Sequence, residues 1–430
     1  MTRRLAAAAA LALLAGCASF SGDGGRAQVD QLTQARGLAA PVGNTAELLA
    51  RPLSADDAVT IALLNNRQLQ AAYSELGIAE ADLVQAGRLS NPSFSFSRLK
   101  NHEGVEIERK LMLPIIGLLT MPLTSRIERR HFEQAQMRTA ATVLKTADET
   151  RRAYFSAVAA QQSAVYMAQV RESAEASADL ARRMTAAGNW SRLQEARELA
   201  FEADAIAGLA KARQASVAER EKLVRLLGVD GFTLPELLPA LPEAAREVKD
   251  AEVQAMTNRL DILMAQKELA GLSSSLGLTR ATRFVNVLDL SYLREQAPDG
   301  ERGRGYEVEL EIPLFDWGGA RVARAEASYM QAVHRTAALA VDARSQVREA
   351  HAAYQSAYQL ARHYRDVVVP LKKRIAHEQL LRYNGMLIGV FELLADSREQ
   401  VQSVNAAIEA QRDYWIADAA LQAALTGAQP

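Results

Sequence analysis

The side chains of this sequence that could do chemistry are placed so that most reactions are excluded. His102, His131, His334, His351, His363 and His377 include no pair four apart on a helix. No His-Glu-x-x-His and no phosphate-loop glycine pattern accompanies them, so no catalytic residue, no metal ligand and no cofactor is assigned. Cys17 is the only cysteine, which rules out an intrachain disulfide and a cysteine-rich metal centre. The carboxylates, by contrast, fall in order. Glu106 and Glu108 in one segment, and Glu307, Glu309 and Glu311 in another, recur at every second residue. A strand sends such residues to one side, and the chemistry on offer is a wet, charged surface. Glu392 and Asp396 form a second kind of acidic pair, four apart at the start of a helical stretch. Alone they read as a solvated helix face; repeated around an axis they would narrow and charge an opening and attract cations.

These groups sit in a chain that carries an address. Arg3 and Arg4 precede an apolar run from Leu5 to Leu14, which reads as a secretory signal over residues 1–16. Leu14-Ala15-Gly16-Cys17 resembles the lipobox of bacterial lipoproteins. That resemblance implies cleavage before Cys17, acylation of its thiol and new amine with chains such as palmitate, and, because Ala18 rather than aspartate follows, release to the outer membrane. Several acyl chains anchor firmly where one would be marginal. Residues 17–52 read as an extended lead from the anchor.

With 23% charged residues and a formal net charge of −1, the composition offers no basic surface for nucleic acid. After the signal no run of 18 apolar residues occurs, so no membrane-spanning helix is expected. What the chain does contain is one plan written twice. Arg67 and Arg259 are 192 residues apart, Pro114 and Pro313 are 199, Gly188 and Gly385 are 197, and Gly228 and Gly427 are 199. Two tandem αββα-like units follow. The first covers 53–228, with strands near 91–99 and 104–113 and helices over 124–187 and 191–227. A leucine- and proline-rich crossover occupies 229–242. The second copy covers 243–430, with strands near 284–293 and 306–312 and helices over 320–384 and 391–426.

The fold class predicted is mainly α with a small β part. From Thr124 to Ala187 there is neither glycine nor proline, which corresponds to a helix of about 96 Å. Its stripe of Leu144, Ala147, Tyr154, Val158 and Val165 is narrow and interrupted by Arg151 and Gln161. Leu394, Val401, Ile408 and Trp415 fall seven apart and call for a partner helix. Gly188 and Gly385 mark the turns between paired helices, where a left-handed residue stops one helix and starts the next. Pro370 predicts a kink within 320–384.

The strands alternate. Val105, Ile107, Leu111 and Leu113, with Arg109 intruding, oppose Glu106, Glu108 and Lys110; Tyr306, Val308, Leu310 and Ile312 oppose Glu307, Glu309 and Glu311. Segments of about ten alternating residues suit a membrane barrel as well as a soluble sheet. Four strands cannot close a barrel, and lipid does not tolerate an open edge. Several chains must therefore share one barrel if it exists. Two give eight strands and a filled interior, three give twelve and room for water.

At this point the residues carry a family resemblance. Leu53-Ser54-Ala55-Asp56-Asp57-Ala58 through Asn65-Asn66-Arg67-Gln68-Leu69, Asn258-Arg259-Leu260-Asp261-Ile262, Ile312 through Gly319, Arg382-Tyr383-Asn384-Gly385 through Phe391-Glu392-Leu393-Leu394, and Tyr414 to Gly427 together resemble the TolC-type outer-membrane efflux proteins, in their lipoprotein branch. The resemblance implies a homotrimer. Its twelve strands would form an outer-membrane pore lined by Glu106, Glu108, Glu307, Glu309 and Glu311, and its helices a periplasmic tunnel. It implies no enzyme activity but passive conduction, with a periplasmic adaptor and an inner-membrane pump as partners. The helical tips at Gly188, Ser191, Leu193, Tyr383, Gly385 and Ile388 would meet the adaptor, and Glu392 with Asp396 would lie at the gate. Gln194 stands where the family usually has an aspartate, and Leu260 where it usually has proline. The alternative reading is a periplasmic coiled-coil lipoprotein acting as scaffold or adaptor without a pore. The exported substrate is not encoded in these motifs.

Overall fold

The computed structural model describes residues 19–102, 104–282, 288–310 and 314–428. The signal segment 1–16, Cys17, Glu311, Ile312 and Pro313 lie outside the described residues, as does the side chain of Asp396. The fold is mainly helical with one small sheet. A lead of two short helices, α1 (Arg26–Gln34) and α2 (Thr45–Leu49), precedes the first copy: α3 (Ala55–Asn65), α4 (Arg67–Ala86), β1 (Ser93–Asn101), β2 (Gly104–Pro114), α5 (Ile115–Ala186) and α6 (Arg192–Leu227). The second copy follows in the same order: α7 (Ala251–Asn258), α8 (Leu260–Ala281), β3 (Leu288–Gln296), β4 (Arg302–Leu310), α9 (Gly319–His363), a π-helical turn (Tyr364–Val368), α10 (Val369–Asn384) and α11 (Val390–Thr426).

The chain divides into two compact units. One comprises Met1–Leu32, Ala71–Ala140 and Leu260–Ala340 and holds the whole sheet; the other comprises Thr33–Gln70, Ala141–Arg259 and Val341–Pro430. In the sheet unit, helices of the two copies are tied by polar contacts. The Arg130 guanidinium donates to the Ala270 carbonyl at 2.8 Å and to the Ser274 hydroxyl, and Lys267 pairs with Glu133 at 2.7 Å. The lead packs here as well: the Ser21 N–H donates to Glu80 at 2.6 Å. Gly25, at φ 77, has no room for a side chain, because a Cβ would lie 2.6 Å from the Phe132 ring.

In the other unit one apolar cluster joins Leu53 and Ile61, Tyr154 and Val158 of α5, Leu223 and Leu227 of α6, Phe232, Leu234 and Leu238 of the crossover, and Ile408 of α11. A second cluster sets Tyr354 and Tyr358 of α9 against Tyr414 and Leu421 of α11. Leu234, Leu238 and Leu241 of the crossover are thus core residues, whereas Leu237 is exposed. Each copy also holds a buried tyrosine to the backbone ahead of its opening helix. Tyr154 donates to the Leu53 carbonyl at 2.8 Å, and Tyr354 accepts from the Arg246 N–H at 2.8 Å. Burial pushes the Tyr154 hydroxyl up to about 12, so it remains a donor at any ordinary pH.

Three expectations change. Helix α5 begins nine residues earlier than its glycine- and proline-free stretch, running through Gly117 and Pro122; proline there removes one hydrogen bond near the start of a 72-residue helix, a loss the rest of the helix tolerates. Leu144, Ala147, Tyr154 and Val158 are buried, but Val165 is 57% exposed and falls off the stripe, which resumes at Val170, Ala174, Ala178 and Ala181. The Pro370 interruption takes the form of the π turn, in which the Val369 N–H reaches back to the Tyr364 carbonyl.

Candidate functional site

All four strands form one antiparallel sheet in the order β1-β2-β3-β4. The β2–β3 pairing, with Leu111 opposite Tyr292 and Leu113 opposite Leu290, joins the hairpins of the two copies. β1 and β4 therefore each keep one edge without a neighbouring strand among the described residues. Strands of 9, 11, 9 and 9 residues are the length that crosses a bilayer at a tilt.

The register sorts side chains cleanly, because the pleat alternates them. One face carries Phe94, Leu111, Tyr292 and Tyr306 in one row and Leu113, Leu290 and Val308 in the next. These residues are exposed, Tyr306 to 82% and Phe94 to 66%, an apolar band that water does not favour. The opposite face carries Glu106, Glu108, Asp289, Glu307 and Glu309, with Ser93, Ser95, Ser97 and Ser291 between them. Lys110 crosses this face to Glu307 at 2.7 Å. Ser291 is buried and Glu106, Glu108 and Glu307 are half-buried, as on the concave side of a curled sheet. The four described glutamates assigned from the alternation thus share one face. Phe94 and Tyr306 share the other.

Strand boundaries shift from the sequence reading. β3 is described from Leu288 and extends to Gln296, and β4 starts at Arg302, four residues before Tyr306. The extension carries a feature that sequence reasoning missed. Arg109, read as an intrusion, is level with Arg294 and Arg304. The signal is an arginine two residues from the last aromatic of β3 and of β4 and one inside the apolar pattern of β2, and only the register aligns them.

The two helical tips are built on one motif with different residues. At the first, Asn189 N–H donates to the Met184 carbonyl at 2.9 Å and Gly188 N–H to Thr185 at 3.0 Å, with Gly188 left-handed at φ 73; this is a Schellman closure. Helix α6 then starts at Ser191, whose hydroxyl accepts from the Gln194 N–H while the Gln194 side chain accepts from the Ser191 N–H at 2.8 Å. Gln194 thereby completes a capping box, and Leu193 is exposed. At the second tip the corresponding bonds run from Leu387 to Arg382 and from Met386 to Tyr383, both 2.9 Å. The expectation of a left-handed Gly385 is corrected: it sits at φ −80, and Met386 takes the left-handed place at φ 57. The left-handed residue that closes the helix falls one position after the glycine. Met386, Leu387 and Tyr383 are exposed, Ile388 is half-buried, and Gly389 starts α11 with no side-chain cap. Glu392 is exposed in the first turn of α11. Lys372 binds Glu399 across α10 and α11 at 2.6 Å and holds that carboxyl below the usual range.

Trp415 stacks on Phe155 at 5.2 Å and donates to the Pro239 carbonyl, a packing residue. Among the described residues no cluster of histidine, cysteine and carboxylate side chains could hold a metal ion, and no helix is long and apolar enough to cross a membrane.

Solved structures place this geometry. The chain superposes on the CmeC outer membrane channel of Campylobacter jejuni with a TM-score of 0.72 at 18% identity, over 87% of this chain and 86% of that one. The open-state MtrE outer membrane channel of Neisseria gonorrhoeae gives 0.71 at 18% identity, over 87% and 89%. The outer membrane protein VceC of Vibrio cholerae gives 0.71 at 16%, over 86% and 95%. The fold is that of outer-membrane channels. No protein-family model matches the chain, and no curated protein sequence does.

Proposed function

We propose that three copies of this chain assemble into an outer-membrane channel of an efflux system, a conduit that does no chemistry itself. The observation that carries this reading is the sheet: four strands, one apolar and exposed face, one acidic face, and two free edges. Lipid offers no hydrogen-bond partners for those edges, so β1 of one copy pairs with β4 of the next. Three copies give twelve strands and a lumen wide enough for water. Glu106, Glu108, Glu307 and Glu309, together with Glu311, line it. The apolar band of Leu111, Leu113, Leu290, Val308 and Leu310 faces lipid. Cys17, acylated after signal cleavage, anchors each copy to the outer membrane.

The tips around Gly188, Ser191 and Leu193, and around Tyr383, Gly385 and Ile388, are the surfaces for a periplasmic adaptor through which an inner-membrane pump delivers substrate. Glu392 and Asp396 ring the tunnel entrance. The scaffold reading, a coiled-coil lipoprotein without a pore, gives no role to a sheet greasy on its exposed face. The deciding experiment is an unheated denaturing gel of outer-membrane extract, followed by planar-bilayer recording of the purified protein. A heat-labile trimer with discrete conductance steps is expected. A salt-extractable monomer that carries no current overturns the proposal.

A further inference from the structure

The pleat sorts charge as well as polarity, and it does so almost without exception. Within the four strands the charged residues of the acidic face are Glu106, Glu108, Asp289, Glu295, Glu307 and Glu309, with Lys110 as the one cation. The apolar face carries Arg98, Lys100, Arg109, Arg294, Arg302 and Arg304 and no carboxylate. These cations lie beyond the two apolar rows, toward the hairpin turns, where Phe96, Ile107 and Val105 share the face with them. Arg109, Arg294 and Arg304 stand side by side in one row, level with Phe96; Arg98 and Arg302 stand one row further on. Neighbouring strands are about 4.8 Å apart, so the three-arginine row spans about 10 Å. The five arginines are exposed, and no carboxylate of the described residues pairs with them. The Arg109 guanidinium lies over the Phe96 ring at 5.8 Å, within cation–π range.

We propose that this row is a docking belt for phosphate-bearing lipid headgroups of the leaflet that meets the hairpin turns. This rests on the channel reading above, which sets the apolar band in the hydrocarbon and the turns on the far side from the helices. Guanidinium groups grip phosphate through two parallel hydrogen bonds, which a strand-mounted row presents at fixed spacing. A one-sign face with no internal partner is costly to keep unless its counter-charge comes from outside, and the lipid surface is what borders it. Arg98 with Lys100 lies on one free-edge strand and Arg302 with Arg304 on the other, so ring closure gathers both sets at each seam between copies.

The test uses the full-length, lipid-anchored protein reconstituted in phosphatidylcholine vesicles with or without a bis-phosphorylated glucosamine lipid. Trimer melting is read on gels, lipid retention by native mass spectrometry, and conduction by bilayer recording. Wild type is expected to retain the phosphorylated lipid and to melt several degrees higher with it, with the shift reduced at high salt. The Arg109→Gln, Arg294→Gln, Arg304→Gln triple variant is expected to lose that shift while still conducting, and Arg98→Gln with Arg302→Gln to lose part of it. Arginine-to-lysine replacement at the three row positions is expected to keep less than half of the shift. Conducting trimers that melt alike in both vesicle types overturn the belt and leave the channel standing. An equal shift from inorganic pyrophosphate in lipid-free detergent also overturns it, in favour of a site for soluble anions. Protein that never conducts in either vesicle type defeats the channel reading, and the belt falls with it.

Discussion

In the first copy the far tip is closed by its own residues: glycine in the left-handed position, then serine and glutamine capping each other. In the second copy the same closure is made with methionine in that position, and the returning helix starts at an uncapped glycine. At the near end the order reverses. Asn66 donates to the Leu226 carbonyl at 3.0 Å and accepts from the Leu69 N–H at 3.0 Å, a modest two-sided cap. In the second copy Arg259, only 2% exposed, holds the Ala424 carbonyl and the Gln346 side chain, both at 3.0 Å. Duplication kept the turns and redistributed the restraints. The second copy is tied down near its opening helices and loosely tied at its tip.

The sheet is where the copies should behave alike, and the largest effects are expected there. Leu111→Arg in the first copy and Val308→Arg in the second each place a charge on the apolar face, at a cost of about 2–4 kcal/mol per copy at mid-bilayer. Both should abolish heat-labile trimers in membrane fractions; a normal trimer yield from either one would reverse the assignment of faces. Next comes the near end. Arg259→Ala should destabilise by about 3 kcal/mol, since it strands a buried carbonyl and opens a cavity, against about 1 kcal/mol for Asn66→Ala. Thermal melts of the two purified variants should differ in that order, and equal melting points would dissolve the contrast. At the tips the signs should differ. Gly188→Ala costs about 1 kcal/mol for the left-handed backbone alone, since a Cβ there meets nothing within 4 Å. Met386→Gly gains about as much, and amide exchange at each tip reads both. The smallest effect is electrostatic. The Glu399 carboxyl is held below its ordinary range by Lys372, so the link is complete above the ordinary carboxylate pKa and is lost as pH falls through the lowered value. Exchange in α10 should therefore rise in acid relative to a Glu399→Gln variant, in which the dependence disappears.

Much of this architecture could be read from the sequence because its signals are periodic. Alternation at two residues located the strands, and long stretches without helix breakers located the helices. The misreadings have local causes. Glycine favours the left-handed region and so points to Gly385, but the backbone hydrogen bonds decide where a helix closes, and they fall one residue later. Arg109 read as an error in a pattern of one strand, and its alignment with Arg294 and Arg304 needs a pairing register that no single strand contains. Arg67 and Arg259 matched as repeat landmarks, yet Arg67 is exposed and Asn66 does the capping in its copy. Sequence similarity between copies marks position and does not fix which side chain carries the load.

The π turn at Tyr364–Val368 acts as a change of phase. One surplus residue rotates all that follows by about 100° relative to an unbroken helix. Helix α9 buries Ala343, Val347, Tyr354, Tyr358 and Ala361 along one stripe, whereas no residue of α10 is buried. The joint therefore uncouples two lengths of one rod. Heptads could be added or removed beyond Val369, lengthening or shortening the reach toward a partner, while the tyrosine seam behind it stays in step.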